Sequence, residues 1–376
     1  MTYLDHNASS PLLPVARTAW LDAVERFPGN PSSPHRVGAR AEAALEEARQ
    51  RLAARLGCTA PDLVWTSGAT EACNTVLHHA AAVAPAAAEV WVSAIEHPAV
   101  GASARHYFGG RVREIPVDRS GVADLGWLKE HLRDRRPALV ALMAANNETG
   151  VLQPWAETRA ACAEAGVPSF CDATQWCGRQ PIRDLGVGGF VAGSAHKFGG
   201  PRGVGFLLVP AGTALRPLLH GGKQLEGRRA GTENVAGVLA MMAALDWCEE
   251  QIAAGATASR AGWRDQFEAE LVRALPGTVV HGANVDRLWN TSSLRLPAAD
   301  CRHRWVVKLD KAGFAVSTGS ACASGTEAPS PVLTAMGLTA EEASRALRVS
   351  AGWNTIAEEW TGLRQAMERI HATAAA

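Results

Sequence analysis

The stretch Gly193-Ser194-Ala195-His196-Lys197-Phe198-Gly199-Gly200-Pro201-Arg202-Gly203 follows an apolar run, Phe190-Val191-Ala192, that is typical of a buried strand. It contains one of only five lysines in a chain with 37 lysines and arginines. A lysine amine can lose its proton and form an imine, which a guanidinium cannot do. The simpler interpretation is a solvated lysine in a glycine-rich turn. The segments around this stretch decide between the two.

Strand-like and helix-like segments alternate on both sides of this stretch. The predicted strands are 62–66, 90–94, 138–144, 167–171 and 203–209, and the predicted helices are 39–56, 69–80, 157–165 and one that begins at Pro98. Short apolar runs that alternate with helical segments are typical of an α/β fold. We therefore predict a doubly wound, mostly parallel sheet.

The pattern changes near residue 250, which predicts a second domain. A helix over 262–274 leads into shorter strands and an amphipathic tail over 358–370. Residues 1–14 are short and punctuated by proline, as in an extended arm. We expect a large domain of residues 15–250 and a smaller α+β domain formed by residues 1–14 and 251–376.

Composition argues against several classes of function. The formal net charge is zero and no basic run is present, so neither nucleic acid nor a membrane is an expected partner. The N-terminal residues 1–6 lack the features of a signal peptide, and no apolar run approaches the roughly 18 residues of a membrane span. The eight cysteines form no CxxC pair. We expect a cytoplasmic protein with reduced thiols and no metal.

Polar residues follow each predicted strand, where ligands bind in open α/β sheets. Ser67-Gly68-Ala69-Thr70-Glu71 combines a glycine turn with a helix N-terminus, which suits a phosphate, although a plain N-terminal cap explains it equally well. A histidine at a strand end is more often structural, and an asparagine pair is by itself a turn signal. The other strand ends carry Glu96-His97-Pro98, Asn146-Asn147-Glu148, Asp172-Ala173-Thr174-Gln175 and Ser194 to Lys197.

Taken together, these groups meet the needs of one cofactor, pyridoxal 5'-phosphate. Lys197 supplies the amine for a Schiff base, and Asp172 supplies an acid that keeps the ring nitrogen protonated. His97 is a ring-sized neighbour, and residues 67–71 form the phosphate cradle. Chance assembly of all four in order along one α/β pattern is improbable, so we predict a pyridoxal-phosphate enzyme.

Two later residues suggest the reaction. Cys322 lies among Gly, Ser and Ala residues, which offer no apolar wall, so we expect an exposed nucleophilic thiol. For the other seven cysteines we expect burial. Arg348 lies on an apolar strand, where an arginine needs an anion. We expect that anion to be the carboxylate of an amino acid, with a core ion pair as the alternative.

With these motifs the chain resembles the cysteine desulfurases of the class V aminotransferase family almost from end to end. The branch it resembles carries a Ser-Ala-Cys catalytic loop. Leu225 and the pair Trp176-Cys177 depart from the residues usual in that family. The matching motifs include Gly29-Asn30-Pro31-Ser32-Ser33, Thr66 to Glu71, Glu96-His97, Asn146-Asn147-Glu148, Asp172 to Gln175, Ser194 to Lys197, Arg229-Ala230-Gly231-Thr232 and Ser320-Ala321-Cys322.

The resemblance implies a fold-type I pyridoxal-phosphate enzyme and a role for each matching residue. Lys197 would hold the cofactor, His97 would stack on its ring, and Asp172 and Gln175 would bond its nitrogen and phenolic oxygen. Thr232 would reach the phosphate of the other subunit, which implies a homodimer with shared sites. The phosphate would lie on Ala69, Thr70, Ser194 and His196. The substrate would lie on Asn30, Asn147 and Arg348, and Asn147 would also contact the cofactor.

The resemblance also implies the reaction. L-cysteine would give L-alanine, with its sulfur left on Cys322 as a persulfide for an acceptor protein in iron–sulfur cluster or other thio-cofactor biosynthesis. Lys197 would move the Cα proton, and His97 is our candidate base for the Cys322 thiol. Selenocysteine lyase activity, another lyase or aminotransferase reaction, and a non-catalytic binding protein are the alternatives that the sequence leaves open.

Overall fold

The computed structural model describes residues 1–298, 305–318 and 329–375. Short strands and longer helices alternate along most of this part of the chain. The strands are β1 (Thr2–Tyr3), β2 (Leu63–Thr66), β3 (Val90–Ser93), β4 (Val112–Ile115), β5 (Leu139–Ala141), β6 (Ser169–Asp172), β7 (Phe190–Ser194), β8 (Gly205–Leu208), β9 (Val279–Val280), β10 (Thr291–Arg295), β11 (Phe314–Ala315) and β12 (Ala346–Ser350).

The helices cover both faces of the sheets that these strands form. None of those in the described part of the chain combines the length and apolar character that a bilayer crossing requires. The helices are α1 (Pro14–Arg26), α2 (Arg36–Leu56), α3 (Ala69–Val83), α4 (Pro98–Phe108), α5 (Leu125–His131), α6 (Trp155–Glu164), α7 (Val235–Ala253), α8 (Ala256–Ala274), α9 (Trp305–Lys311), α10 (Pro331–Ala335), α11 (Ala340–Ser344) and α12 (Ala357–Ala375).

The largest sheet in the described residues has seven strands in the order β2-β8-β7-β6-β5-β3-β4. The pairs from β7 to β4 are parallel, whereas β8 runs antiparallel to both of its neighbours. Helices α4, α5 and α6 follow β3, β4 and β5, whereas β6 and β7 are joined by a long segment of turns over 173–189; each connection is long enough for the crossover that parallel strands require. The predicted α/β architecture with a mostly parallel sheet is confirmed.

Alternation along β7 shows how the sheet is buried on both faces. Val191 packs into an apolar cluster with α2 and α7. Its neighbours Phe190 and Ala192 pack into a second cluster with α3 and α4 on the opposite face. Successive side chains of a strand point to opposite faces, so a strand covered on both sides reads as a continuous apolar run. This explains the apolar run just before Ser194.

A second apolar core surrounds the three-stranded sheet β12-β10-β9. Leu294, Leu347 and Val349 of this sheet pack with Phe267 of α8 and Trp360 of α12. The N-terminal arm reaches this region through β1, which pairs with β11. The predicted division after residue 250 falls within the last turn of α7, and the two-domain division remains a prediction.

Several elements were not predicted from the sequence, namely α1, β4, α5 and α7. Helix α7 packs on the same face of the central sheet as α2. It contains Val238, Met241, Leu245 and other buried apolar residues. A helix that is apolar on most of its surface lacks the 3.6-residue alternation on which sequence recognition depends.

A buried ion pair ties α8 to the loop before β10. Glu268 receives two hydrogen bonds from Arg287, at 2.8 and 2.7 Å. Arg287 also forms a β-bridge with Val151, which follows β5 in the central sheet. The pair therefore fixes α8 and β10 relative to the loop that contains Asn147.

The substitution Glu268→Gln should lower the free energy of unfolding by about 3 kcal/mol, because it leaves Arg287 buried without a carboxylate. The side chains of this pair are only 5% and 8% exposed. Asp22→Asn is the matched control, since the side chains of Asp22 and Arg26 in this ion pair are 54% and 59% exposed. This substitution should lower the free energy of unfolding by less than about 1 kcal/mol. Urea unfolding followed by tryptophan fluorescence measures both. Equal losses of unfolding free energy in the two variants would contradict the stabilising role of the buried pair.

Candidate active site

A cavity of about 470 Å³ opens at the carboxyl ends of β2, β3, β5, β6 and β7. Its volume lies within the range of about 300–1,000 Å³ that is common for small-molecule sites. Nine of the residues predicted from the sequence line this cavity. They are Ala69, Thr70, His97, Asn147, Asp172, Gln175, Ser194, His196 and Lys197.

The predicted phosphate cradle is the turn from β2 into α3. Gly68 has a φ of 149°, and a Cβ at this position would lie 3.3 Å from the Ser194 hydroxyl. Glycine therefore brings the backbone of this turn close to β7. The first turn of α3 adds free backbone N–H groups and the positive end of the helix dipole. The structure brings the four predicted phosphate ligands together at this cavity.

Glu71 lies in the same turn and would repel a phosphate if its charge were not balanced. Burial acts to raise the pKa of its carboxyl, but hydrogen bonds from Arg229 and Ser67 outweigh burial and lower it. Arg229 Nε lies 2.9 Å from Glu71 Oε1. The carboxylate is thus ionised and paired within the protein. The role of this pair was not predicted from the sequence.

Lys197 closes a short helical turn, Ala195–Lys197, that follows β7 directly. Its Nζ donates hydrogen bonds to the carbonyl oxygens of Asn7 at 2.6 Å and Ala8 at 2.9 Å. Both acceptors belong to the N-terminal arm, and Ala8 and Ser9 line the cavity. The arm was predicted as an extended segment, but its contact with the lysine was not, since no local sequence signal reports a partner 190 residues away.

Asp172 and His97 flank the interior of the cavity. Asp172 is the last residue of β6, and its Oδ1 accepts a hydrogen bond from the backbone N–H of Thr174 at 3.0 Å. Burial lowers the pKa of His97; the Asp172 carboxylate opposes this effect and Lys197 adds to it. His97 is therefore a neutral ring at neutral pH.

The position of the His97 proton follows from its place at the start of α4. His97 Nδ1 accepts a hydrogen bond from the backbone N–H of Ala99 at 3.1 Å and so caps the helix. Because Nδ1 is an acceptor, the neutral ring carries its proton on Nε2. A second proton could bind only at Nδ1, at the expense of the cap.

Arg348 lies in the middle of β12 and does not line the cavity. Its Nη2 forms an ion pair with Asp5 at 2.6 Å, and its Nη1 donates to the backbone oxygen of Asn147 at 3.0 Å. The structure thus contains the core ion pair that the sequence analysis kept as an alternative. The bond to Asn147, which does line the cavity, places the guanidinium next to the site.

Asn30 and Thr232 are exposed and do not line this cavity. Asn30 Oδ1 accepts from the N–H of Ser32 within its own loop. Thr232 follows a segment in which Leu225 and Glu226 have φ values of 49° and 57°, a left-handed conformation that is uncommon for side-chain-bearing residues. The resemblance assigned Thr232 to the site of another subunit, and its role remains a prediction.

Burial separates the cysteines. Cys73, Cys162, Cys171, Cys177 and Cys248 are buried as predicted, and burial raises the pKa of each of these thiols. The prediction was wrong for Cys58, which is only partly buried because it lies in the turn after α2. Cys301 and Cys322, the predicted nucleophile, lie outside the described residues.

The residues around the cavity fit pyridoxal phosphate. An amine, a strand-end carboxylate, a ring and a helix N-terminus face one space, and these are the groups that the cofactor requires.

Comparisons with known proteins agree with this fit. The family model for class-V aminotransferases matches residues 2–361. A cysteine desulfurase from Enterobacter agglomerans is 37% identical, over 93% of this chain and 87% of that protein. A cysteine desulfurase IscS from Dictyoglomus turgidum is 34% identical, over 98% and 94% of the two chains.

A solved structure extends the agreement to three dimensions. The NifS-like protein from Rickettsia africae matches with a TM-score of 0.88 at 28% identity, over 99% of each chain. The predicted resemblance and the predicted fold-type I architecture are both confirmed. This chain belongs to the class-V aminotransferase family of pyridoxal-phosphate enzymes.

Proposed function

We propose that this protein is a pyridoxal-phosphate-dependent cysteine desulfurase that converts L-cysteine to L-alanine and collects the sulfur on Cys322. The observation that carries the proposal is the convergence of Lys197, Asp172 and His97 on one cavity beside a helix N-terminus. The relatives named cysteine desulfurase support this reaction over selenocysteine lysis or transamination.

The cofactor would be held by residues from each strand end. Lys197 would bind it covalently, Asp172 would face its ring nitrogen, and His97 would cover the ring. Bound pyridoxal phosphate supplies an electron sink for the pair left at the substrate Cα. The phosphate would lie on the N-terminus of α3 with Ala69, Thr70, Ser194 and His196, and Thr232 of a second subunit would complete its binding.

Lys197 is placed to move a proton. In the free protein its amine is held by two neutral carbonyl oxygens, those of Asn7 and Ala8. Lys197 lines the cavity, so its amine would remain beside the substrate when it is not holding the cofactor. From there it would take the Cα proton of L-cysteine and return a proton when alanine forms.

Cys322 would receive the sulfur. The thiolate attacks the substrate sulfur, a sulfur–sulfur bond forms, and the substrate carbon–sulfur bond breaks. Its electron pair goes to the substrate carbon, which is protonated to give alanine. L-cysteine and the Cys322 thiol thus become L-alanine and the Cys322 persulfide, and no external oxidant or reductant is needed.

Substrate binding would use the edge of the cavity next to Asn147. Arg348 is joined to Asn147 by a hydrogen bond and is held by Asp5. From this position the guanidinium would meet the substrate carboxylate, with Asn30 closing the site from its own loop. Asp5 would act by orienting the arginine.

We also propose a homodimer with shared active sites. Trp20, Leu21 and Val24 expose a set of apolar side chains on the outer surface of α1, which is typical of a protein interface. Thr232, predicted to complete another subunit's site, is exposed as well.

A persulfide must pass to a second thiol, so we propose an acceptor protein in iron–sulfur cluster or other thio-cofactor biosynthesis. We propose a cytoplasmic location, since this chemistry needs reduced thiols.

The substitution Cys322→Ser should reduce alanine release from L-cysteine by about a hundredfold or more, because the sulfur loses its acceptor. The variant should remain yellow, since none of the cofactor-holding residues is changed. Alanine and sulfide are measured together in the presence of a reductant, and the wild type should release equal amounts.

Cys58→Ser is the matched control for the loss of a thiol. Cys58 is the one described cysteine that is not buried, and it lies apart from the cavity lining. Its loss should leave the rate within about twofold of wild type. If Cys322→Ser keeps its rate, the sulfur-transfer reaction is wrong, and a pyridoxal-phosphate lyase or aminotransferase takes its place.

His97 is expected to act as a neutral ring against the cofactor. Comparing His97→Asn with His97→Ala separates the ring from the helix cap, because asparagine is a good N-cap and alanine is not. Both variants should lose about three- to tenfold in cofactor affinity. Only His97→Ala should lose a further ~1 kcal/mol of stability. If His97→Asn binds the cofactor as tightly as the wild type does, His97 does not stack on the cofactor ring.

A pH profile tests the base role that the sequence suggested for His97. If the His97 ring accepts the thiol proton, protonation of this ring would cause the fall in rate at low pH, which is the acidic limb of the pH profile. His97→Asn would then abolish that limb. Because Nδ1 is occupied by the cap, we expect the limb to persist in His97→Asn at a lower overall rate. Loss of the limb would restore the base hypothesis.

A further inference from the structure

Arg179 is a buried cation without a carboxylate partner in the described part of the chain. Its side chain is 3% exposed. Burial lowers its pKa to about 10, and the positive charge of Arg348 acts in the same direction. The guanidinium is still protonated at neutral pH. An uncompensated buried charge is costly, so this one requires an explanation.

Within the described residues, the hydrogen bonds of the Arg179 guanidinium go to neutral oxygens. Nη1 donates to the backbone oxygen and the side-chain Oε1 of Gln175, at 3.0 and 2.7 Å. Nη2 donates to the backbone oxygens of Lys197 at 3.0 Å and His6 at 3.4 Å. Arg179 therefore joins the N-terminal arm, the turn after β6 and the turn that carries the active-site lysine.

The contact with Gln175 fixes which end of its amide faces the cavity. Arginine has donors and no acceptor, so the end of the amide that meets Nη1 must be the oxygen. The nitrogen then points the other way and donates one hydrogen to the backbone oxygen of Asn7, at 3.0 Å. The second hydrogen remains for a ligand, and Gln175 lines the cavity.

We propose that Arg179 is a positioning residue that orients Gln175, so that an amide N–H is presented to the phenolic oxygen of the bound cofactor. With a neutral, apolar partner at position 179, only the bond to the Asn7 backbone oxygen would hold the amide in this orientation. An amide that turned over would present its own oxygen to the phenolic oxygen and repel it. This inference rests on the proposed function, because it needs pyridoxal phosphate in the cavity.

The purely structural alternative is a cross-link between three segments of the chain. It predicts a loss of stability and no change in the electronic state of the cofactor. The ionisable groups that interact with Arg179 from other elements must be the same in all variants compared. They are His6, Cys177, His196, Cys248 and Arg348, with the Lys197 backbone in direct contact.

The experiment is a pH titration of the visible absorbance of the cofactor-loaded protein without substrate. An N–H donor stabilises the anionic phenolic oxygen, so its loss should raise the pH midpoint of the absorbance change. We expect Arg179→Met to raise the midpoint by about one unit, and Gln175→Ala to do the same. Arg179→Lys keeps a donor for Oε1 and should stay close to the wild-type midpoint.

The double variant Arg179→Met/Gln175→Ala tests whether the arginine acts through the amide. The midpoint should match that of Gln175→Ala alone, since the effect of Arg179 disappears once its target is gone. The inference would be overturned if the midpoint shifts of the two single variants added in full in the double variant. It would also be overturned if folded, cofactor-loaded Arg179→Met kept the wild-type midpoint. If Arg179→Met does not fold, a midpoint in Arg179→Lys that equals that of Gln175→Ala would overturn it as well.

The outcomes separate this inference from the proposed function. A wild-type protein that takes up no pyridoxal phosphate would remove the proposed function itself. If the wild-type protein binds the cofactor and turns over L-cysteine, but Arg179→Met has the wild-type pH midpoint, only the proposed role of Arg179 is wrong. Thermal melting of each variant shows whether a change in midpoint accompanies unfolding.

Discussion

A buried asparagine, Asn7, is the connection on which the active-site geometry depends. Its backbone oxygen accepts hydrogen bonds from Lys197 Nζ and from Gln175 Nε2. Its side chain donates to Thr291 on β10 and to the backbone oxygen of Asn147. One residue thus joins the central sheet, the three-stranded sheet and the lysine. The backbone oxygen and the side chain of Asn7 each have partners, so this residue couples the resting position of Lys197 to the contact between the two sheets.

The two glutamates near the cavity add little net charge to it, each for a different reason. Glu96 is fully buried, and burial, with the negative charge of Asp172 second, raises its pKa to about 8. It is therefore neutral at neutral pH, and it accepts the backbone N–H of Met143 without adding a second charge beside Asp172. Glu71 is ionised, but Arg229 balances it. The charged residues that line the cavity besides Glu71 are Asp172, Lys197 and Arg202, and the N-terminus of α3 adds its partial positive charge.

The sequence predicted the parts of the site that follow from strand ends, and little of what comes from distant contacts. Parallel strands bring their carboxyl ends to one edge, so His97, Asp172 and Lys197 could be collected from local patterns alone. The ion pair between Asp5 and Arg348 joins residues 343 positions apart, and neither residue carries a local signal of the other. The bond between Arg179 and Gln175 joins residues only four positions apart, but it lies in a turn without the periodicity on which sequence recognition depends.

The cavity of one chain also lacks two of its predicted residues, and the fold explains why. Asn30 precedes α2 and Thr232 precedes α7, two helices that cover the face of the sheet away from α3. The proposed role of Thr232 in the site of a second copy needs no movement of its loop toward the cavity of its own chain. Helix α1 packs on α7, and Trp20, Leu21 and Val24 of α1 remain exposed. A dimer that buries these side chains would remove apolar surface from water, so a contact needed for Thr232 to reach the partner would also be stabilised by apolar burial.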